Sequence, residues 1–302
     1  MKFSLMTEPQ LGGSYDEILA AARLAEREGL VSFARSDHLA WSGKPSPEAT
    51  DAFATLAGLA RDTEKVRLCV LVTPVTFRHP AIIAKSAATI DQMSGGRFDL
   101  GVGTGWNQFE HDALGLPFPE SPERWERLVD ALDYLEAAFG RGQGRHDGSF
   151  YHLDLDVSPK PTGLRLIIGG GGAQRTPTLA GTRADEYNLF LCPPAEAKQN
   201  IAVMREASGS RAVEVTTMGS VTVAETEDEL DEMLERAAGK RGIEKEQLLA
   251  RWDEAGAVYG TVPQVRDKIA ALEEAGIERI YLQWLDLSDY DGMARMVELA
   301  RS

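Results

Sequence analysis

The sequence has few cysteines and no long apolar run. Only Cys69 and Cys192 occur among its 302 residues, and they stand far apart in apolar or proline-rich surroundings. We therefore predict buried free thiols and no disulfide. No apolar run approaches the roughly 18 residues that a membrane span requires, and Glu8 interrupts the N-terminal segment where a signal peptide has its apolar core. We expect a cytoplasmic protein that makes no membrane contact.

Positive charge is also scarce. Lys and Arg total 32 against 47 Asp and Glu, which gives a net charge of −15. A general nucleic-acid binder needs a continuous basic surface that releases counterions, so we expect no nucleic-acid partner. The acidity does not argue against binding of small anions, because a local pocket can be positive on an acidic protein.

The motifs of several enzyme classes are missing as well. None of the five histidines stands in an H-x-H or H-E-x-x-H pattern, and no spaced set of cysteines accompanies them. We therefore predict no metal site. No G-x-S-x-G motif is present, which argues against a serine hydrolase.

What the sequence does have is a regular alternation of short β-rich runs with helical patterns. Eight strands are predicted, at residues 2–6, 31–35, 66–72, 98–102, 166–168, 186–190, 213–223 and 279–285. Helices are predicted at residues 14–28, 47–61, 80–93, 122–139, 176–181, 194–207, 227–254, 262–275 and 290–300, the seventh of them broken near Gly239 and Gly242. Parallel strands need helical crossovers, so eight such units predict a closed (β/α)8 TIM barrel. An open doubly wound sheet is the alternative, although no G-x-G-x-x-G opens the first helix.

The alternation loosens in the middle of the chain. Residues 106–119 are predicted to form a loop. Residues 141–162 are rich in Gly, Asp and Pro, with one short β-like piece at 149–153, and we interpret them as an insertion. No linker of disordered composition divides the chain, so residues 1–302 are expected to form a single domain.

In such a barrel, the reactive residues lie at the C-terminal ends of the strands. Asp37 and His38 follow the second strand, and they could form an acid–base pair because imidazole titrates near neutrality. The alternative is that Asp37 caps the loop and His38 is structural. Glu8 ends the first strand and is the second candidate for moving a proton.

Four consecutive glycines at residues 169–172 give a clear physical signal. They lead into a short predicted helix that carries Arg175 and Thr176 at its start. Exposed amides, the positive end of a helix and a guanidinium together predict a cradle for an anion such as a phosphate. The alternative is a glycine turn that only permits close packing of strand and helix.

A second glycine-rich segment, G-x-G-x-G at residues 101–105, precedes Trp106 and Asn107. It suits a flat ring that lies against the backbone, although glycines near a barrel axis can also serve only to make room. Trp41 and Trp106 lie on loops at the same end of the barrel, which favours an aromatic-lined substrate pocket over a core-covering role. Glu110 and His111 suit capping or a solvated surface as well as chemistry.

Four segments resemble the luciferase-like monooxygenase superfamily, which also contains coenzyme F420-dependent oxidoreductases. The segments are S-D-H-L at 36–39 and the longer strings at 73–106, 168–188 and 259–283, in the family's order. The resemblance covers nearly the whole chain. It implies a TIM barrel with insertions, usually homodimeric, that holds a flavin or deazaflavin at its C-terminal mouth. It also implies a non-proline cis peptide at Leu71–Val72 or Val72–Thr73.

The resemblance assigns roles to residues at the mouth. Asp37 and His38 would lie near the cofactor ring, with Val72 and Thr73 against its central part. Asn107 would bind the ring or the ribityl chain, and Gly105 belongs to the same cofactor-binding wall. The phosphate would be held by Gly170, Gly171, Gly172, Arg175 and Thr176.

Details of the strand ends favour F420 as the cofactor over flavin mononucleotide, FMN. The R-S-D-H strand end and the G-G-G-G-A-Q-R-T turn are more similar to the deazaflavin-dependent subgroup. An F420 enzyme transfers hydride and does not activate dioxygen, whereas an FMN enzyme would be a monooxygenase. The hydride would pass between F420 and a small organic substrate, with His38 as proton donor or base, steered by Asp37.

One departure from the family concerns the substrate. Its sugar-phosphate dehydrogenases carry a glutamate directly after the glycines of the fourth strand, where this chain has Trp106. We therefore expect a less polar substrate. The rival class is a non-catalytic flavin-binding protein, against which the polar set at the mouth argues.

Overall fold

The computed structural model describes residues 1–42, 48–140 and 144–302. The strands are β1 (Lys2–Thr7), β2 (Ser32–Arg35), β3 (Arg67–Pro74), β4 (Phe98–Gly103), β5 (Arg145–Asp147), β6 (His152–Asp154), β7 (Arg165–Gly169), β8 (Glu186–Phe190), β9 (Glu214–Ala224), β10 (Val258–Thr261) and β11 (Arg279–Trp284). The α-helices are α1 (Tyr15–Arg27), α2 (Ala52–Asp62), α3 (Pro80–Ser94), α4 (Gln108–Leu114), α5 (Ser121–Ala138), α6 (Arg175–Arg183), α7 (Pro194–Ser208), α8 (Glu227–Gly239), α9 (Lys245–Glu254), α10 (Val262–Glu274) and α11 (Tyr290–Arg301).

Eight of these strands close into a parallel barrel in the order β1-β2-β3-β4-β7-β8-β9-β11, and β11 pairs with β1 to complete the ring. The predicted (β/α)8 barrel is confirmed. Capping residues determine where its helices begin and end. Ser14 and Glu17 form a capping box at the start of α1, and Gly95 ends α3 in the left-handed conformation that glycine adopts without strain.

A buried charge network fills the N-terminal end of the barrel. Arg279 and Glu186, each the first residue of its strand, form an ion pair without solvent exposure. The Glu186 carboxylate also accepts a hydrogen bond from the Tyr281 hydroxyl at 2.9 Å. Paired charges therefore occupy the barrel interior at this end.

The prediction of free thiols is confirmed, and the prediction that they are buried holds for Cys69 only. Cys69 is buried in β3, Cys192 is half-buried after β8, and both are free thiols. None of the described helices is long and apolar enough to cross a membrane.

Four elements differ from the sequence prediction. The helix expected over 47–61 begins at Ala52, because the Asp51 side chain accepts the Ala54 N–H and so caps the helix there; its predicted first residue lies outside the described residues. The loop expected over 106–119 contains α4, whose seven residues are too few to show a helical period. The β-like piece at 149–153 is instead the hairpin of β5 and β6 within the predicted insertion, of which residues 141–143 are not described. Strand β10 was not predicted, because its four residues run directly into α10.

Candidate active site

A cavity of about 730 Å³ opens at the C-terminal end of the barrel. Residues from the ends of all eight barrel strands, or from the loops that follow them, line it. This volume lies within the range of about 300–1,000 Å³ typical of small-molecule sites. The mouth of the barrel therefore offers room for a cofactor-sized ligand.

The His38 imidazole is held by Glu110, a residue of α4. Nδ1 of His38 lies 2.8 Å from Oε1 of Glu110. The other carboxylate oxygen accepts the backbone N–H of Leu39 at 3.0 Å and that of Ala40 at 3.4 Å. Because an ionised carboxylate only accepts hydrogen bonds, Nδ1 donates to it. Nε2 is then the ring nitrogen that can exchange a proton with a ligand in the cavity.

This contact sets the charge of His38. Burial lowers the pKa of the imidazole, but the hydrogen bond and the negative charge of Glu110, assisted by Glu8 and Asp37, outweigh it. The pKa of His38 is raised above its ordinary value. The ring is therefore protonated to a higher pH than a free histidine, which suits a proton donor near neutrality.

Asp37 does not orient His38, contrary to the sequence prediction. Its buried carboxylate forms an ion pair with Arg78, which also bridges to Asp51 at the start of α2. Burial raises the pKa of Asp37, and Arg78 and a hydrogen bond from Thr73 oppose that rise. Asp37 lines the cavity wall as a carboxylate neutralised by Arg78. Glu110, and not Asp37, holds the His38 ring in place.

Glu8 lies at the end of β1, lines the cavity and is held by two amides. Nε2 of Gln10 donates to one carboxylate oxygen at 2.7 Å, and Nε2 of Gln283 donates to the other at 2.6 Å. The side-chain oxygens of these glutamines accept hydrogen bonds from Ser36 and Ser220. Both amides are thereby fixed with their NH2 groups towards Glu8.

Trp41 and Trp106 meet at His38, as the two loops at one mouth predict. The His38 ring centroid lies 5.9 Å from that of Trp41 and 5.4 Å from that of Trp106, and the two indoles are 6.3 Å apart. Each pair of rings is close to perpendicular. Trp106 is 62% exposed, so its indole is open to a ligand.

The floor of the cavity includes Val72, which follows the cis peptide Leu71–Val72, one of the two predicted positions. Neighbouring glycines make room for its side chain. A Cβ on Gly103 would lie 3.0 Å from Cγ2 of Val72, and a Cβ on Gly169 would lie 2.8 Å from Cγ1. Glycine at these two positions therefore lets the Val72 side chain pack at the barrel axis. Because glycine has no side chain, the cavity above these positions also stays open.

The glycine-rich loop after β7 borders the cavity at Gly169, Gly170 and Gly171. The N–H of Gly170 donates to the Asn188 carbonyl, so it is not available to an anion. No described residue accepts a hydrogen bond from the N–H of Gly171 or Gly172, and a Cβ on Gly171 would meet nothing closer than 3.8 Å. The loop therefore has an open side with unpaired amides.

The residues that follow this loop support it. Oγ1 of Thr176 donates to the Gly171 carbonyl at 2.8 Å. The exposed guanidinium of Arg175, at the first position of α6, lies 5.9 Å from the centroid of the Trp125 ring. Together with the positive end of α6, these groups fit an anionic phosphate.

The predicted site residues thus fall into two sets. Those that line the cavity are Glu8, Asp37, His38, Trp41, Val72, Gly105, Trp106, Gly170 and Gly171. Those that lie behind or beside the wall are Thr73, Asn107, Gly172, Arg175 and Thr176. Asn107 occupies the N-cap position of α4 without a side-chain capping hydrogen bond, and its carbonyl accepts a hydrogen bond from Nδ1 of His111 at 2.8 Å.

Glu110 and His111 are not on a solvated surface. Both are buried, and the His111 ring packs at a tilt against Phe77 and Phe118, with centroid separations of 4.8 and 4.5 Å. Its Nε2 lies 2.8 Å from Oγ1 of Thr76. His111 therefore anchors α4, and the anchored helix presents Glu110 to His38. The described residues contain no cluster of metal-ligating side chains.

A closed barrel with its polar groups at the strand ends is the architecture of TIM-barrel enzymes. The chain belongs to the luciferase-like monooxygenase family, whose model matches residues 1–279.

Individual relatives differ in chemistry. The chain is 35% identical over 175 residues to the F420-dependent glucose-6-phosphate dehydrogenase of Microbacterium testaceum (strain StLB037), an alignment that covers 57% of this chain and 52% of the relative. It is 32% identical over 164 residues to the pyrimidine monooxygenase RutA of Enterobacter cloacae subsp. cloacae, covering 52% and 45%. The matches thus span about half the length of these relatives. Among solved structures, monooxygenase RslO1 from Streptomyces bottropensis superimposes with a TM-score of 0.82 at 21% identity, covering 100% of this chain and 98% of RslO1.

Proposed function

We propose that this protein is an oxidoreductase that transfers a hydride between coenzyme F420 and a small organic substrate. The observation that carries the proposal is the arrangement at the barrel mouth. An open glycine loop suited to a phosphate borders the same cavity as the proton-exchanging pair of His38 and Glu110. The match to an F420-dependent dehydrogenase supports the choice of cofactor.

The shape of the cavity floor and the open amides of the glycine loop fit such a cofactor. Val72 and the glycines around it give a smooth floor for a flat ring, and side chains at Gly103 and Gly169 would close it. The unpaired amides of Gly171 and Gly172, with Arg175 and Thr176 beside them, would hold the phosphate. F420, when bound, supplies the hydride-accepting or hydride-donating carbon.

The chain's own groups supply proton transfer and shielding from water. His38 would exchange a proton with the substrate through Nε2, while Glu110 fixes the ring through Nδ1 and stabilises its positive charge. Trp41 and Trp106 border His38 and would restrict water around it. Asp37, neutralised by Arg78, would form part of the wall beside the ring.

The alternative is a monooxygenase that uses reduced FMN. It is favoured by the match to a pyrimidine monooxygenase at a similar level of identity. The same cradle would hold the FMN phosphate, so the two candidates differ in the ring and in their use of dioxygen. The predicted homodimer and the predicted cytoplasmic location stay predictions.

A charge reversal in the cradle tests the proposed cofactor site. Gly171→Glu places a carboxylate on the open side of the loop, where a Cβ meets no close atom. The matched control is Gly239→Glu, at the end of α8, where a Cβ meets nothing within 4 Å. We expect Gly171→Glu to weaken F420 binding at least tenfold, followed by fluorescence, and the control to bind like the unmodified chain. Equal binding by both variants would remove the loop from the cofactor site.

A further inference from the structure

We infer that the substrate is an organic molecule without an anionic group, bound through an apolar body against Trp41 and Trp106. The inference deepens the proposed function and rests on it, because it concerns the part of the same cavity that the cofactor leaves to the substrate. It excludes sugar phosphates and carboxylates, including the substrate named for the F420-dependent relative.

The charges that face the cavity carry the first step. Among the described residues that line it, the acidic side chains are Glu8, Asp37 and Glu110, and none is Lys or Arg. Arg78 pairs with Asp37 and His38 pairs with Glu110, so within the described residues Glu8 is the one of these three carboxylates without an ion pair, and its charge repels a negative charge on a ligand. Among the described lining residues, the side chains that can be cationic are the histidines, and the positive charge of His38 is matched by Glu110 at 2.8 Å.

Arg175 lies beside the wall in the cradle assigned above to the cofactor phosphate. The other two arginines near the wall, Arg35 at the end of β2 and Arg78 after β3, are both engaged. Arg78 pairs with Asp37 and Asp51. Arg35 is fully buried and donates hydrogen bonds to the Ser36 carbonyl and to Thr50 and Thr55. Both guanidiniums are thus engaged by oxygen atoms of the chain and neither lines the cavity, so neither is placed to pair with a ligand's phosphate or carboxylate.

The carboxylate of Glu8 gives the pocket a polar side that accepts hydrogen bonds. Its two oxygens are already hydrogen-bonded to the amides of Gln10 and Gln283, and no ion pair reaches it from the described residues. An anion next to this carboxylate would be repelled, whereas a neutral hydroxyl or amine could donate to its remaining lone pairs.

The wall also presents exposed apolar side chains. Phe190 is 53% exposed and Leu285 is 40% exposed, and both line the cavity at the ends of β8 and β11. With the indoles of Trp41 and Trp106, they would bury an apolar surface and gain the corresponding hydrophobic free energy. A charged group in this setting would lose its hydration without a partner.

A matched pair of probes tests the inference. Methyl 4-oxocyclohexanecarboxylate is neutral, and 4-oxocyclohexanecarboxylate has the same ring with a negative charge in place of the methyl ester. Their affinities for the full-length protein are measured by ligand-observed NMR titration in the presence of F420. We expect the ester to bind at least tenfold more tightly than the acid. Equal or tighter binding of the acid overturns the inference, and so does the absence of ester binding at millimolar concentration.

A gain-of-function variant sharpens the test. Leu285→Lys places a cation at the cavity wall, and its matched control Leu155→Lys changes an exposed leucine in the loop after β6. We expect acid binding to strengthen at least tenfold in Leu285→Lys and to stay unchanged in Leu155→Lys. An unchanged acid affinity in Leu285→Lys counts against the proposed position of the substrate.

The failure of the inference and the failure of the proposed function are distinguishable. F420 is titrated against the same protein samples before the probes are added. If F420 binds and the acid binds as well as the ester, the substrate class is wrong while the cofactor proposal stands. If F420 does not bind and the ester is still preferred, the cofactor proposal is wrong and the apolar pocket stands.

Discussion

Nδ1 of His38 lies 2.8 Å from Oε1 of Glu110, and this contact joins the loop after β2 to helix α4. The same carboxylate accepts the backbone N–H of Leu39, so Glu110 positions both the imidazole and the loop that carries it. A histidine held in this way has one fixed nitrogen and one nitrogen for chemistry. The cavity therefore contains a proton-transfer group whose tautomer and charge are set by a residue 72 positions away in the chain.

Replacement of His38 separates binding from catalysis. We expect His38→Ala to bind F420 within about threefold of the unmodified chain, since the phosphate cradle is untouched. Turnover of a substrate found by screening should fall by about 10²–10⁴-fold, the usual contribution of a positioned acid or base. Binding is measured by fluorescence titration and turnover by the change in F420 absorbance. Full turnover in the variant would remove His38 from the mechanism.

Glu110→Gln is expected to lower the pKa of His38. Burial continues to disfavour the charged ring, while the charge that outweighs burial is gone. NMR titration of the imidazole protons measures this shift directly. The control is Glu123→Gln, which removes a surface carboxylate paired with Arg127 on α5. An unchanged titration of His38 in Glu110→Gln would show that Glu110 does not set its charge.

The same pair gives stability a pH dependence. Because the pKa of folded His38 is raised, its contact with Glu110 stabilises the folded state fully below the ordinary histidine pKa. That contribution is lost as the pH rises through the raised pKa. The difference in unfolding free energy between the unmodified chain and Glu110→Gln should therefore shrink with rising pH in urea unfolding. A difference that grows with pH would contradict the assignment.

Arg78→Met leaves the carboxylate of Asp37 buried without its cation. Loss of one partner of a buried ion pair costs about 3–5 kcal/mol of unfolding free energy. Burial already raises the pKa of Asp37, and loss of the guanidinium raises it further, so the variant should lose stability as the pH rises from acid towards neutrality. The double variant Asp37→Asn with Arg78→Met should recover part of the loss at neutral pH. Urea unfolding at two pH values measures both effects, and additive losses would show that the two residues do not interact.

Gly169→Ala is expected to destabilise the barrel through Val72. The new Cβ would lie 2.8 Å from Cγ1 of Val72, and overpacking of this kind costs about 1–3 kcal/mol. Val72→Ala should relieve the clash, so the double variant is less destabilised than the sum of the single changes. The control is Gly219→Ala, whose Cβ would lie 2.8 Å from Cδ2 of Leu191 and does not meet Val72, so Val72→Ala should not rescue it. Equal rescue of both glycine variants in thermal unfolding would refute this packing account.

The barrel could be predicted from the sequence because its strands are buried apolar runs separated by amphipathic helices. Leu68, Cys69 and Val70 in β3, for example, are fully buried, and a short continuous apolar run of this kind is typical of a buried parallel strand. Short elements could not be predicted in the same way. Strand β10 is only four residues long, and it extends the sheet by pairing with the far end of β9.

The site was predictable where one segment carries the whole signal, and not where two segments must meet. The glycine loop and the S-D-H strand end stand out by themselves. The partners of Asp37 and His38 do not, because Arg78 and Glu110 come from other loops and their pairing is a property of the fold. The local signal that could have indicated Glu110 is the run from Asn107 to Gly115, which begins with a capping residue and ends at a glycine.

The most direct test of the account is a pair of titrations of the purified cofactor-free protein, one with F420 and one with FMN, followed by fluorescence. We predict saturable binding of F420 and at least tenfold weaker binding of FMN. This result would identify a hydride-transfer oxidoreductase and direct a screen towards neutral, reducible or oxidisable compounds. Tight binding of FMN without binding of F420 would contradict the account and identify an oxygen-dependent monooxygenase as the better hypothesis.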